Sequence, residues 1–166
     1  RQMCIRDRAD RKEALFRAMS PSLEPMPGLL RLLEHAQAHD IGMCVVTNAP
    51  RLNAEHMLNA MGLGQHFEHV LVAEELARPK PDPLPYLTGL QRLGAEAGQA
   101  LAFEDSLPGT AAASGAGIFT VGVATTQTPE RLLAAGARLV VDDFNDAALW
   151  ALIERMASDR GCVPEG

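Results

Sequence analysis

The chain has 166 residues, of which 47% are hydrophobic and only 4% aromatic, and this composition suits one α/β domain with an aliphatic core. Fifteen lysines and arginines against 21 acidic residues give a net charge of −6, which argues against nucleic acid or an anionic membrane as the main partner. Three cysteines without paired spacing argue against a disulfide framework or a zinc knuckle. No segment has the pattern of a signal peptide or a membrane span, so we expect a cytoplasmic protein. We also expect it to be a monomer.

The first part of the chain differs in character from the rest. Residues 1–8 match no pattern found in the remainder of the chain, and we predict that they are a non-native scar at a sequence junction. Residues 9–22 carry the last turns of a helix and the start of a proline-containing linker. If residues 1–8 are a scar, we expect the true N-terminal part of the protein to be missing from this sequence.

Strand and helix patterns alternate through residues 23–157, and residues 158–166 form a tail that we expect to fray. Short apolar runs predict five strands, at Gly42–Thr47, His69–Ala73, Ala100–Phe103, Phe119–Val123 and Leu139–Val141. Helices are predicted over Gly28–His39, Arg51–Met61 and Pro83–Leu93, after Asp105, from Thr128, and from an Asn145 cap to Met156. This alternation predicts an α/β fold with a doubly wound parallel sheet.

Two adjacent acids, Glu104 and Asp105, come directly after one of the apolar strands. In an open α/β sheet, ligands bind beyond the carboxyl ends of the strands, so both acids are predicted at the rim where chemistry occurs. Because buried carboxylates without partners are costly, the pair suggests a bound cation. A solvated loop with a helix cap is the alternative interpretation.

Thr47 and Asn48 end another strand, and Lys80 lies between two prolines in a loop after the next. The hydroxyl of Thr47 and the backbone N–H of Asn48 suit an anion, whereas Asp105 offers hard oxygen to Mg²⁺. Each residue alone is more commonly a solvated strand end or loop residue. Together at one rim, they predict a site for a phosphoryl group.

Other interpretations have weaker support. A dinucleotide-binding fingerprint would need a third glycine and a preceding strand, both of which the segment Gly115–Gly117 lacks. A receiver domain would place its acids first in the chain, and an α/β hydrolase would need a G-x-S-x-G turn. His35 and His39 lie four residues apart on one helix, but with no third ligand nearby in sequence a solvated helix face is favoured.

Three motifs in order resemble those of the haloacid dehalogenase superfamily of phosphohydrolases: residues 45–48 (Val-Val-Thr-Asn), 79–82 (Pro-Lys-Pro-Asp) and 103–109 (Phe-Glu-Asp-Ser-x-x-Gly). The sequence is most similar to the members with a helical cap, such as phosphoglycolate phosphatases and β-phosphoglucomutases. The resemblance extends over roughly residues 24–156.

The resemblance implies a role for each matching residue. Thr47 would hydrogen-bond the transferring phosphoryl group, with help from the backbone of Asn48, and Lys80 would neutralise its charge. Asp105, with Glu104, would hold Mg²⁺, and residues 9–22 would be the end of the helical cap. The expected activity is hydrolysis of a small phosphorylated metabolite through an aspartyl-phosphate, with a phosphomutase as the alternative.

One motif of the family is absent from this sequence. The nucleophile of the family lies in Asp-x-Asp-Gly-Thr after a first apolar strand, and no Asp here begins that pattern. We therefore expect this chain to be inactive by itself, and expect either a gap or an abnormal direct pairing between the strands ending at Thr47 and Phe103. A non-catalytic phosphate-binding or interaction module is a further alternative.

Overall fold

The structure is a computed structural model that describes residues 23–160. The predicted scar at residues 1–8, the predicted cap remnant at residues 9–22 and most of the predicted tail lie outside the described residues. These three assignments therefore remain predictions.

Five strands and six α-helices alternate along the described part of the chain. The helices are α1 (Leu29–Ala38), α2 (Arg51–Ala60), α3 (Leu84–Leu93), α4 (Leu107–Gly115), α5 (Pro129–Ala134) and α6 (Ala147–Arg160). The strands are β1 (Cys44–Thr47), β2 (His69–Val72), β3 (Leu101–Glu104), β4 (Phe119–Val123) and β5 (Leu139–Val141). Single turns of 3-10 helix lie at Gly64–His66, Ala73–Glu75 and Ala97–Gln99. In this part of the chain, no helix is both long enough and apolar enough to cross a membrane.

All pairings between these strands are parallel, as the alternation of strands and helices predicts. The strands form two separate sheets: β1 pairs with β2, and β3, β4 and β5 pair in that order. Within residues 23–160 no strand lies between β1 and β3, so each has an edge without a strand partner. This gap is one of the two outcomes expected from the absence of a central strand.

Helices cover both faces of the three-stranded sheet, which makes the fold doubly wound. Ala102 of β3 packs in a cluster with residues of α3 and α4, whereas Leu101 and Phe103 pack against a second cluster on the other face. The first cluster comprises Tyr86, Ala102, Ala112, Ala113, Ala116 and Ile118. The second cluster comprises Val121, Val123, Val141, Phe144, Leu149, Leu152 and Ile153. The core therefore follows the period of two that a strand imposes on its side chains.

The predicted cap of the last helix is wrong by one residue. Asp146, not Asn145, caps the N-terminus of α6, where its Oδ1 accepts from the backbone N–H groups of Ala148 (2.8 Å) and Leu149 (3.1 Å). Both residue types are good helix caps, so tertiary packing decided between them. The helix also continues past the predicted end at Met156, to Arg160.

Candidate functional site

The side chain of Lys80 bridges the gap between β1 and β3 at the carboxyl ends of these strands. Its Nζ donates to the carbonyl oxygen of Val46 on β1 (3.2 Å) and forms an ion pair with Glu104 Oε1 at the end of β3 (2.5 Å). Both charged side chains are buried, with exposed fractions of 9% for Lys80 and 6% for Glu104. Lys80 thus donates a hydrogen bond to a backbone carbonyl of β1 beside the gap. This contact and the ion pair hold its positive charge at the strand ends.

The Glu104 carboxylate accepts hydrogen bonds at both of its oxygens. Tyr86 donates its phenolic O–H to Oε1 (2.5 Å) in addition to Lys80, and Ser106 Oγ lies 3.1 Å from Oε2. Gly109 passes so close that a Cβ there would overlap this carboxylate. Glu104 therefore points into the protein and anchors Lys80.

Burial raises the pKa of Tyr86 above its usual range, and the negative charge of Glu104 raises it further. The phenol consequently keeps its proton and donates to the carboxylate. Such a donor helps to stabilise a buried charge that would be costly alone.

Asn48 fixes the loop that carries Lys80. Its Nδ2 donates to the backbone carbonyl of Lys80 and its Oδ1 accepts from the Lys80 backbone N–H, both at 3.2 Å. The peptide between Lys80 and Pro81 is cis. The side chain of Asn48 thus has a positioning contact that the sequence did not indicate, alongside the backbone role that the resemblance implies.

Thr47 ends β1 with its hydroxyl oxygen accepting from the backbone N–H of Ala49 (3.0 Å). A hydroxyl that accepts through its oxygen still has its O–H to donate. Thr47 can therefore donate to an anion at this end of the strand.

Asp105 is exposed, in contrast to Glu104. Thr126 donates to its backbone carbonyl (3.0 Å), and the Thr125 hydroxyl lies 3.4 Å from Oδ2, so the loop after β4 holds the end of β3 in place. The Asp105 carboxylate is a hard oxygen ligand open to solvent. Residues 23–160 contain no group of three or more His, Cys, Asp or Glu side chains that could hold a metal ion.

The helix after Asn48 is anchored at its first residue. Arg51 makes two hydrogen bonds of 2.6 Å to the Glu75 carboxylate, and its backbone N–H donates to Glu74 Oε1 (3.0 Å). The hydrogen bond from Arg51 lowers the pKa of Glu75. A carboxylate at the N-terminus of a helix also interacts favourably with the helix dipole.

Sequence reasoning missed several groups of this network. Tyr86 is the only tyrosine of the chain and lies on the buried face of α3. Because a buried tyrosine hydroxyl usually has a hydrogen-bond partner, its position in the predicted helix could have indicated a polar neighbour. Ser106 stands three residues before Gly109 and caps α4, donating to Glu104 as well. The carbonyl of Val46 carries no signal in sequence, because backbone groups are alike at every residue.

The family model for haloacid dehalogenase-like hydrolases matches residues 5–123, which is more than half of the chain. The chain belongs to the haloacid dehalogenase-like hydrolase family. The predicted fold class and the predicted family are thereby confirmed.

Relatives of this haloacid dehalogenase-like hydrolase include two phosphatases. It is 38% identical over 119 residues to validoxylamine A 7'-phosphate phosphatase from Streptomyces hygroscopicus subsp. limoneus, covering 72% of this chain and 56% of the relative. It is 36% identical over 139 residues to phosphoglycolate phosphatase from Rhodospirillum rubrum, covering 83% of this chain and 58% of the relative. This chain therefore spans little more than half the length of these relatives.

A solved structure of similar fold is CbbY from Rhodobacter sphaeroides in complex with phosphate, with a TM-score of 0.79 and 27% identity. The match covers 88% of this chain and 67% of that one. The haloacid dehalogenase-like fold of the present chain is thus shared with a protein that binds phosphate.

Proposed function

We propose that this chain forms the phosphate-holding part of a Mg²⁺-dependent phosphatase that hydrolyses small phosphate monoesters through an aspartyl-phosphate. The observation that carries the proposal is the Lys80 ammonium, which is held at the strand ends by Val46 and Glu104. Relatives that are named phosphatases support the reaction class.

In this proposal, the residues at the strand ends divide the work of binding the phosphoryl group. Lys80 neutralises its negative charge, and the Thr47 hydroxyl and the Asn48 backbone N–H donate to its oxygens. Because Glu104 is already bonded to Tyr86 and Ser106, it holds Lys80 in position without needing to move. These contacts favour the extra charge that develops as the phosphoryl group is transferred.

The donor set fits Mg²⁺, which prefers oxygen ligands and usually binds through one or two carboxylates together with substrate phosphate and water. Asp105 would hold the ion directly, with the negative charge of Glu104 behind it. When bound, Mg²⁺ would supply positive charge to the phosphoryl oxygens. Because the sequence lacks the Asp-x-Asp motif, whose nucleophile carboxylate would also hold the ion, we expect this chain to bind Mg²⁺ only weakly. Tight Mg²⁺ binding in calorimetry would contradict this expectation.

The proposed nucleophile is an aspartate that this sequence does not contain. An aspartate of the Asp-x-Asp motif would form an O–P bond while the bond from phosphorus to the alcohol breaks. The second aspartate would protonate the leaving alcohol and then activate the water that releases inorganic phosphate. We propose that the strand bearing this motif belongs between β1 and β3, whose facing edges have no strand partner within residues 23–160.

The test compares two proteins: the 166-residue chain, and the chain extended by the coding sequence upstream of it in its gene. We expect Mg²⁺-dependent hydrolysis of p-nitrophenyl phosphate only by the extended protein. Asp105→Asn should abolish this activity, whereas Asp40→Asn should retain it, because Asp40 is exposed beyond α1 and its φ of 51° suits asparagine.

Three results would overturn the proposal. Full activity of the extended Asp105→Asn protein would remove that carboxylate from the site. An upstream sequence without Asp-x-Asp would instead favour a non-catalytic phosphate-binding module. Turnover by the 166-residue chain, lost on Asp105→Asn, would show that the missing motif is not required.

A further inference from the structure

His35 lies in the last turn of α1, and His39 directly follows the helix, four residues further along the chain. Their ring centroids are 4.2 Å apart and the rings are tilted by 32°. His39 Nδ1 lies 2.8 Å from the backbone carbonyl oxygen of His35. Because a carbonyl can only accept, Nδ1 carries the proton and the lone pair of Nε2 is left for another partner.

This is the arrangement that metal-binding histidines adopt, in which one ring nitrogen donates to a carbonyl and the other binds the ion. His39 also directly follows the last residue of α1, and the carbonyl groups at a helix C-terminus favour a positive charge. Two imidazoles four residues apart on a helix are a known way to bind one transition-metal ion.

We propose that His35 and His39 form a two-histidine site for a divalent transition-metal ion of the Zn²⁺, Ni²⁺ and Cu²⁺ class. Imidazole nitrogens favour these ions over Mg²⁺, which prefers oxygen. The site provides two protein ligands, and water completes the coordination. It shares no residue with the proposed phosphatase site at the strand ends, and it does not depend on that proposal.

Trp150 on α6 provides a built-in reporter for this site. It is the only tryptophan of the chain, and its ring lies edge-on to His35 with centroids 5.3 Å apart. The indole N–H donates to the Phe144 carbonyl (2.9 Å), and the Arg31 guanidinium packs over the ring at 3.9 Å. The indole is therefore held beside the histidines, where a bound paramagnetic ion quenches its fluorescence.

The experiment titrates the 166-residue chain with NiCl₂ and follows tryptophan emission. We expect saturable quenching with one Ni²⁺ per chain by calorimetry, reversed by excess Zn²⁺, which is diamagnetic. His35→Gln and His39→Gln should each weaken Ni²⁺ affinity by roughly tenfold or more. His56→Gln on α2 is the matched control and should leave the affinity unchanged.

Equal Ni²⁺ affinity in the wild type and in both the His35→Gln and His39→Gln variants would overturn the proposal, as would quenching that does not saturate. Circular dichroism identifies a variant that fails to fold. If His35→Gln fails to fold, the Ni²⁺ affinity of His39→Gln tests the proposal alone, because His39 is exposed at the end of the helix and its replacement should not disturb folding. Asp105→Asn should not change Ni²⁺ quenching, so this site and the proposed phosphatase site can fail independently.

Discussion

Replacing Lys80 by methionine tests whether a buried charge pair holds the strand ends together. Methionine keeps most of the length of the side chain but removes the ammonium that bonds Glu104 and the Val46 carbonyl. The Glu104 carboxylate would then remain buried, with an exposed fraction of 6%, and without a positive partner. The variant therefore measures the cost of an uncompensated charge at this position.

Breaking a buried ion pair by removing one partner costs about 3–5 kcal/mol. Glu104 keeps the hydrogen bonds from Tyr86 and Ser106, so we expect the lower end, about 3 kcal/mol of unfolding free energy. Lys80→Met combined with Glu104→Gln should recover part of this loss, with a coupling energy of about 2 kcal/mol. Urea unfolding at pH 7 measures both single variants and the double variant.

The ion pair of exposed Arg78 with half-buried Asp82 serves as the matched control. The exposed fraction of Arg78 is 65%, and its Nε lies 3.1 Å from Asp82 Oδ2. Arg78→Met should cost only about 0–1 kcal/mol, because solvent screens the pair. If Lys80→Met costs no more than Arg78→Met, the buried pair does not stabilise the strand ends and the reasoning is refuted.

Three further predictions concern single side chains. Gly109→Ala should lower the unfolding free energy by about 1–3 kcal/mol, because the added Cβ would overlap the buried Glu104 carboxylate. Gly98→Ala is the control: a Cβ at Gly98 meets open space, so the unfolding free energy should change by less than about 0.5 kcal/mol in the same urea assay. Burial, and then a neighbouring negative charge, raise the pKa of Cys44 to about 11. With the other two cysteines replaced by serine, iodoacetamide should label it slowly at pH 8 and faster as the pH approaches 11; rapid labelling at pH 8 would contradict this. Since Arg51 lowers the pKa of Glu75 below its ordinary value of 4.5, this carboxylate stabilises the fold above that pH and the contribution is lost as the pH falls. Melting temperatures from pH 3 to 7 should fall less steeply on the acid side in Glu75→Gln, and identical profiles would argue against the contact.

The order of elements and the placement of the candidate site could be predicted from sequence. Continuous apolar runs predict buried parallel strands, and the carboxyl ends of such strands share one rim. That rule places Thr47 and Asp105 correctly at strand ends without any knowledge of packing. The absence of an Asp-x-Asp motif predicted a gap or an abnormal pairing between β1 and β3, and within residues 23–160 no strand lies between them.

Tertiary structure alone decided what the adjacent acids do. Successive side chains at the end of a strand point to opposite sides of the sheet. The sequence does not show whether Glu104 or Asp105 meets a buried positive partner. In the structure, Glu104 turns inward to Lys80 and Tyr86, whereas Asp105 is exposed at the rim. Lys80 is 24 residues from Glu104 in sequence, so their contact depends on the packing of α3 and its preceding loop against β3. Local patterns determine which residues reach the rim, whereas long-range contacts determine the partner of each charge.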